Sequence, residues 1–253
     1  MDSGFVTTEI DPDGLAVITF GHPAHNAMPS SLLDQLSDHI QSAGAAASTK
    51  LILLKSAGDR TFCAGASFDE LLSLTNEAAG KAFFSGFAHV INAIRRSPKI
   101  IVCRVQGKAV GGGVGLMAAC DYCFASESTA VKLSEISINI GPFVIAPPLE
   151  RKIGLSAFTM LSLNPTVFFD AHWAQLHGLI HALEPTVNEM DLAIGQFCRP
   201  LLSKSQEALT SLKRVLWQNT DHWEVLLYDL AAVSGRLALS EESKRSLREF
   251  KQR

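Results

Sequence analysis

Two short apolar runs limit the folds open to this chain more than any other feature. LILLK, Leu51–Lys55, and IIVCRV, Ile100–Val105, are continuous rather than alternating, as strands buried on both faces are. The connection between them is long, and Glu77–Arg96 within it has helical spacing and stops before Pro98. Strands joined by such a crossover run parallel, because the chain must travel back before it can start a neighbouring strand in the same direction. The pattern then continues. A helix starts inside the glycine run GGGVGLMAAC, and YCFA and TAVKL follow as short strands. The fold class is therefore α/β, with parallel or crossover-linked strands and helices outside them.

FVTTEI and LAVITF flank DPDG, a turn signal, and read as an opening hairpin. Residues 29–47 carry helical apolar spacing at Leu32, Leu33, Leu36 and Ile40. Ser67 begins S-F-D-E before LLSL, the pattern of a capping box closed by Glu70. From about Asp170 the chain turns wholly helical, over His172–His177, Val187–Leu202, Ser205–Trp217 and His222–Arg248. The implied division is a core over residues 1–190 and a helical region over 191–253. Trp217, Trp223, Leu226, Leu227 and Leu230 suit either a surface that covers a partner subunit or internal core.

Charge and cysteine usage exclude several classes. The net charge is -3, with no concentrated basic stretch before the last ten residues, so nucleic acid is not an expected partner. No segment is long enough to span a bilayer, and MDSGFVTTEIDPDG lacks the apolar core of a signal peptide. A cytoplasmic protein with no membrane partner is expected. The five cysteines are scattered and odd in number, which argues for reduced thiols acting as small hydrophobes. Cys120 and Cys123 form a lone CDYC without the second pair a zinc site needs. His172, His177 and His181 do not share one helical face, so no metal is expected.

The glycine run admits two chemistries. Gly113, Gly115 and Ala118 match G-x-G-x-x-A, and Glu135 lies 20 residues after Gly115, as in a dinucleotide site with its ribose acid. That reading implies an NAD-dependent dehydrogenase. It fits poorly, because QGKAV separates the run from the strand end where the first glycine belongs. The alternative pairs the run with FCAGASFDELL upstream, which also follows a strand and opens a helix. Small residues there leave backbone N–H groups unshielded. Two such groups, one per loop, would converge on one oxygen and stabilise negative charge developing on it. Ordinary strand–helix turns also look like this.

FCAGASFDEL and VQGKAVGGGVGLMAACDYCFAS resemble the two signature loops of the crotonase, or enoyl-CoA hydratase/isomerase, superfamily. LAVITFGHPAHNAM is similar to that family's N-terminal strand and turn. KLSEISINIGPF and ERKIGLSAFTMLSLNPTVFFDAHWAQLHGLIHAL are similar to later segments. The resemblance covers nearly the whole chain and is weakest in the last helices. It implies a crotonase-like spiral of ββα units with a helical C-terminal oligomerisation region, assembling as a homotrimer or a hexamer. It also implies an acyl-CoA substrate, within fatty acid metabolism, and no separate cofactor, coenzyme A being part of the substrate. Carried over by position, the oxyanion donors are the backbone N–H groups of Ala64 and Gly112. Cys63, Ala64, Gly65, Ala66 and Ser67 cup the coenzyme A adenine, with Ser67 where the family usually has Asp.

Hydratases of this family use two glutamates, whose positions here are Gly115 and Glu135. One carboxylate is kept and the other is lost. Adding water takes a base for the water and an acid for the α-carbon, whereas one carboxylate suffices to move a double bond. The resemblance thus implies isomerisation or hydration with Glu135 as the single retained carboxylate. A decarboxylating or non-catalytic acyl-CoA-binding member remains the alternative. Apolar flanks around Glu135 suggest a partly buried carboxyl with a raised pKa. Asp69 and Glu70 are the rival carboxylates, Asp69 solvated at its helix start. Asp121 is given a structural role only. GPFVIAPPLE replaces the family's glycine-rich turn, so Phe143, Val144 and Ile145, with Phe87, are expected to wall the acyl pocket. Phe83 and Phe84 suit that wall or a core face.

Overall fold

The computed structural model describes residues 4–251. β1 (Phe5–Ile10) and β2 (Leu15–Gly21) form the antiparallel hairpin expected from DPDG. The turn closes on one carboxylate: Asp11 Oδ1 accepts the N–H groups of Asp13, Gly14 and Leu15 at 2.8–2.9 Å. Such local acceptance is what makes Asp a turn residue.

After α1 (Ser30–Ala45), the chain repeats one unit three times. β3 (Leu51–Ser56), β5 (Ile100–Val105) and β7 (Tyr122–Ser126) run parallel in a six-stranded sheet ordered β1-β2-β3-β5-β7-β10, where β10 is Ala182–Glu184. Each of the three leads into a short strand of a second sheet: β4 (Thr61–Cys63), β6 (Lys108–Val110) and β8 (Ala130–Lys132). Those strands are parallel, and β9 (Phe169–Asp170) closes the sheet antiparallel to β8. Helical segments follow. α2 (Phe68–Leu72) and α3 (Glu77–Arg96) succeed β4, and α4 (Gly112–Ala119) succeeds β6. A 3₁₀ turn (Glu135–Ile138) and α5 (Ala146–Leu163) succeed β8. The result is a spiral of ββα units.

The continuous apolar runs are explained by burial on both sides. Ile52, Leu54, Ile101 and Cys103 face the main core with α1, α3 and α4. Leu51, Leu53, Ile100 and Val102 face a second cluster with Met190, Ile194 and Cys198 of α7 (Val187–Leu202). α7 therefore belongs to the core layers, and the division at residue 190 falls inside it. The remaining helices are α6 (Ala171–Leu176), α8 (Gln206–Leu216), α9 (Trp223–Ala238) and α10 (Glu241–Lys251). Residues 252 and 253 of the expected C-terminal region lie outside the described residues.

Three expectations change. The chain after Asp170 is not wholly helical, because β10 pairs with β7 there. The single helix over His222–Arg248 is two, because Ser240 Oγ accepts the Ser243 N–H at 3.2 Å and starts a new helix. The capping box is half made. Ser67 Oγ accepts the Glu70 N–H, but the Glu70 carboxylate turns away to accept the Ser30 N–H at 2.7 Å. Of the two readings left open for Trp217, Trp223 and Leu227, internal core is the one observed. Trp217 Nε1 donates to Asp121 Oδ1, while Asp121 Oδ2 pairs with buried Lys213 and accepts the Ile101 N–H. Asp121 thus ties α8 to the β5–β7 edge. Its role is structural, as expected. All five cysteines are buried free thiols. Among the described residues no helix is long and apolar enough to cross a membrane.

Candidate active site

The three short strands of the small sheet end together, and their following loops line one cleft of about 610 Å³, mouth included. β4 leads to Ala64, Gly65 and Ala66, β6 to Gly111 and Gly112, and β8 to Ser134 and Glu135. α3 adds Phe84 and Phe87, and the turn before α5 adds Phe143, Val144 and Ile145. Of the residues singled out in the sequence, Ala64, Gly65, Ala66, Phe87, Gly112, Glu135, Phe143 and Val144 meet here.

The glycine run is explained by what presses on it. Gly111 has φ +52 and ψ -118, a conformation that favours glycine, and a Cβ there would lie 2.7 Å from Glu135 Oε1. A Cβ on Gly112 would lie 2.2 Å from the Phe87 ring, on Gly113 2.7 Å from Cys63 Cβ, and on Gly115 2.2 Å from Ile145 Cγ2. Gly113 and Gly115 are already helical and covered by side chains. A pyrophosphate has no approach to them, so the dinucleotide match is coincidental.

The first loop lies against the second. Gly65, at φ +92, would place a Cβ 3.0 Å from the Val110 carbonyl oxygen and 3.8 Å from the Gly112 nitrogen. One donor assignment is corrected by this geometry. The Ala64 N–H is taken, donating to the His25 carbonyl at 3.2 Å. Gly65 N–H points to Cys63 Sγ, and Ser67 N–H to the Met28 carbonyl. Ala66 N–H has no acceptor among the described residues, and Ala66 lines the cleft. Gly112 N–H, in the first turn of α4, likewise has none. Among the loop residues that line the cleft, the free donors are Ala66 and Gly112.

The engaged His25 carbonyl is itself held in place. His25 and Asn26 have φ +54 and +57. The Asn26 amide donates to the Ala57 and Thr61 carbonyls and accepts the His22 N–H, all at 2.9 Å. Cys63 stands behind the loop, packed on Gly113, with burial pushing its thiol up to about 12. It stays protonated and supports the loop. Ser67 caps α2, outside the cleft lining.

Glu135 is the single ionisable side chain among the described residues that line the cleft. The residue as a whole keeps some exposure, but its Oε2 is buried and has no hydrogen-bond partner. Burial pushes its pKa from 4.5 up to about 7, with backbone N–H contacts at Ser134 and Glu135 opposing the shift. Desolvation disfavours the charged form, which is the direction seen. Asp69 is exposed at the α2 start, and Glu70 is bound to Ser30.

Most of the remaining wall is apolar. Phe143 folds over Gly141, whose Cβ position lies 2.2 Å from the ring. Ile138, Ile140, Leu71 and Phe68 complete the far side. Phe83 is in a satellite core cluster instead. One lining residue carried no signal in the sequence. Ser234 comes from α9, which folds back from far along the chain.

Comparisons agree with this architecture. Residues 11–252 match the family model for enoyl-CoA hydratase/isomerase. The chain is 28% identical over 240 residues to the "Probable enoyl-CoA hydratase" of Bacillus subtilis, covering 93% of this chain and 92% of that protein. It is 26% identical over 211 residues to a (7aS)-7a-methyl-1,5-dioxo-2,3,5,6,7,7a-hexahydro-1H-indene-carboxyl-CoA hydrolase of Mycobacterium tuberculosis, covering 83% of each. The crystal structure of an enoyl-CoA hydratase from Bacillus halodurans superposes with a TM-score of 0.90 at 23% identity, over 96% of this chain and 99% of that one. One from Mycobacterium avium gives 0.84 at 25% identity, over 98% and 96%.

Proposed function

We propose, from the premise that the chain belongs to the enoyl-CoA hydratase/isomerase family, that it moves a carbon–carbon double bond along an acyl-CoA chain. The observation that carries this is the lone carboxyl of Glu135, buried, unpartnered at Oε2 and facing no second ionisable group in the cleft.

The chemistry follows from those positions. The thioester oxygen accepts the N–H groups of Ala66 and Gly112. Glu135, as carboxylate, takes a proton from C2 of a 3-enoyl thioester. The electron pair of that C–H bond moves into a dienolate, whose charge rests on the held oxygen. The same carboxyl, now protonated, returns the proton to C4, which gives the 2-enoyl thioester and restores the carboxylate. A pKa near 7 suits a group that must take and give in one cycle, since both forms are populated at neutral pH. Hydration asks for a second acid/base group, and the turn residues in the lining, Ile145, Val144 and Phe143, supply none.

The test is incubation with a short 3-enoyl-CoA, read by the absorbance of the conjugated product and by mass spectrometry. Conversion to the 2-enoyl thioester without a mass gain of water is expected. Glu135→Gln should lower the rate about 10²–10⁴-fold, the usual worth of one acid/base group. Ala66→Pro, which deletes the free N–H, should lower kcat on the order of 10²–10³-fold with an unchanged circular dichroism spectrum. A hydrated product from the wild type, or Glu135→Gln at full rate, would overturn the reading.

A further inference from the structure

We infer that the acyl group carries a neutral oxygen function, a hydroxyl or a ketone, away from the thioester, and that Ser234 recognises it. The inference rests on the acyl-CoA reading and adds the substrate's character to it.

Ser234 is 1% exposed and lines the cleft, yet its hydroxyl makes no hydrogen bond with any described residue. Ser162, on α5, bonds back to its own helix at the Phe158 carbonyl at 2.8 Å. Ser234 does not. A hydroxyl without a protein partner is left to pair with whatever enters the cleft. Packing needs only a small residue here. α9 crosses α3 so closely that a Cβ on Gly235 would lie 2.5 Å from Gly80, so alanine at 234 would serve the helix contact equally well. What alanine cannot do is pair an oxygen inside the cleft.

The surroundings define which oxygen. Ser234 shares the cleft with Leu71, Phe84, Ile138 and Ile140, so most of the acyl group is hydrocarbon. No Lys, Arg or His lines the cleft, and a carboxylate on the chain would be buried without a cation. That penalty is far larger than one hydrogen bond returns. The polar group is therefore uncharged.

The test compares three saturated acyl-CoA thioesters of equal chain length, one plain, one bearing a distal ketone and one a distal carboxylate. Affinities are measured by calorimetry for the wild type and Ser234→Ala, and kcat/KM is measured for the matching 3-enoyl forms. The wild type should bind the ketone about tenfold more tightly than the plain chain, the worth of one good hydrogen bond, and should reject the carboxylate. Ser234→Ala should bring the ketone-to-plain ratio close to one. Equal wild-type affinities, or a ratio that survives Ser234→Ala, would overturn the assignment. A ratio that collapses in Ser234→Ala while the wild type isomerises none of the 3-enoyl forms would sink the isomerase reading and leave the role of Ser234 standing.

Discussion

A carboxyl with a pKa near 7 leaves a mark on stability as well as on rate. Glu135 has a native pKa raised above its ordinary 4.5, so between those values the native state holds more proton than the unfolded chain. Its contribution is fully present below about pH 4.5 and is lost as pH rises through about 7. The difference corresponds to about 3 kcal/mol from the size of the shift. Glu135→Gln has no charge to bury. Its stability relative to the wild type should therefore rise by up to that amount between about pH 5 and pH 8.5, read by urea unfolding at both. A constant difference across that range would mean that the wild-type carboxyl is ionised in the native state throughout. Activity runs the other way, because the carboxylate is the form that takes the first proton, so kcat/KM should climb through the same interval.

Elements, not single residues, decide whether a second carboxylate can be installed. On sequence alone, Gly115→Glu looks like a direct route to hydration, because position 115 lies about one turn along from Gly112. The packing of α4 against the turn before α5 changes that expectation. Ile145 Cγ2 sits 2.2 Å from where the new Cβ would go, and both residues are buried. Gly115→Glu alone should lose stability by overpacking, on the order of 1–3 kcal/mol or more, and gain no hydratase activity. Gly115→Glu with Ile145→Gly opens the space and should hydrate a short 2-enoyl-CoA, followed as loss of the enone absorbance. Gain in the single variant, or none in a folded double variant, would show that this contact does not control the chemistry. Gly112 repeats the point. Gly112→Pro would drive new atoms into Phe87, which is why deletion of an N–H is better tested at Ala66. The sequence announced the loops because strand, small residues and helix recur in order. It was silent on which N–H is spare, since the acceptor for Ala64 is His25, in a turn fixed by Asn26.

At the scale of the whole molecule, long elements were legible and short ones were not. β3, β5 and α3 were readable because their apolar pattern runs over five or more residues. β4 and β6 have three residues each and exist only because neighbouring strands pair with them, so QGKAV reads as a spacer in isolation. The same long-range folding hid Ser234 and turned Trp217, Trp223 and Leu227 inward. Those three residues are therefore closed to any partner subunit. Leu155 and Leu163, on α5 beyond its bend at Gly154, and Leu176, at the end of α6, are 63%, 70% and 81% exposed. Large apolar side chains left this open on neighbouring helices are what an association face presents. The family resemblance implies a trimer or a hexamer, and we expect these three leucines to lie in its interface. Leu155→Glu combined with Leu176→Glu should shift the sedimentation coefficient to that of a monomer while the far-ultraviolet circular dichroism stays unchanged. A wild type that sediments as a monomer, or a double variant that stays assembled, would place the contact on another face of the molecule.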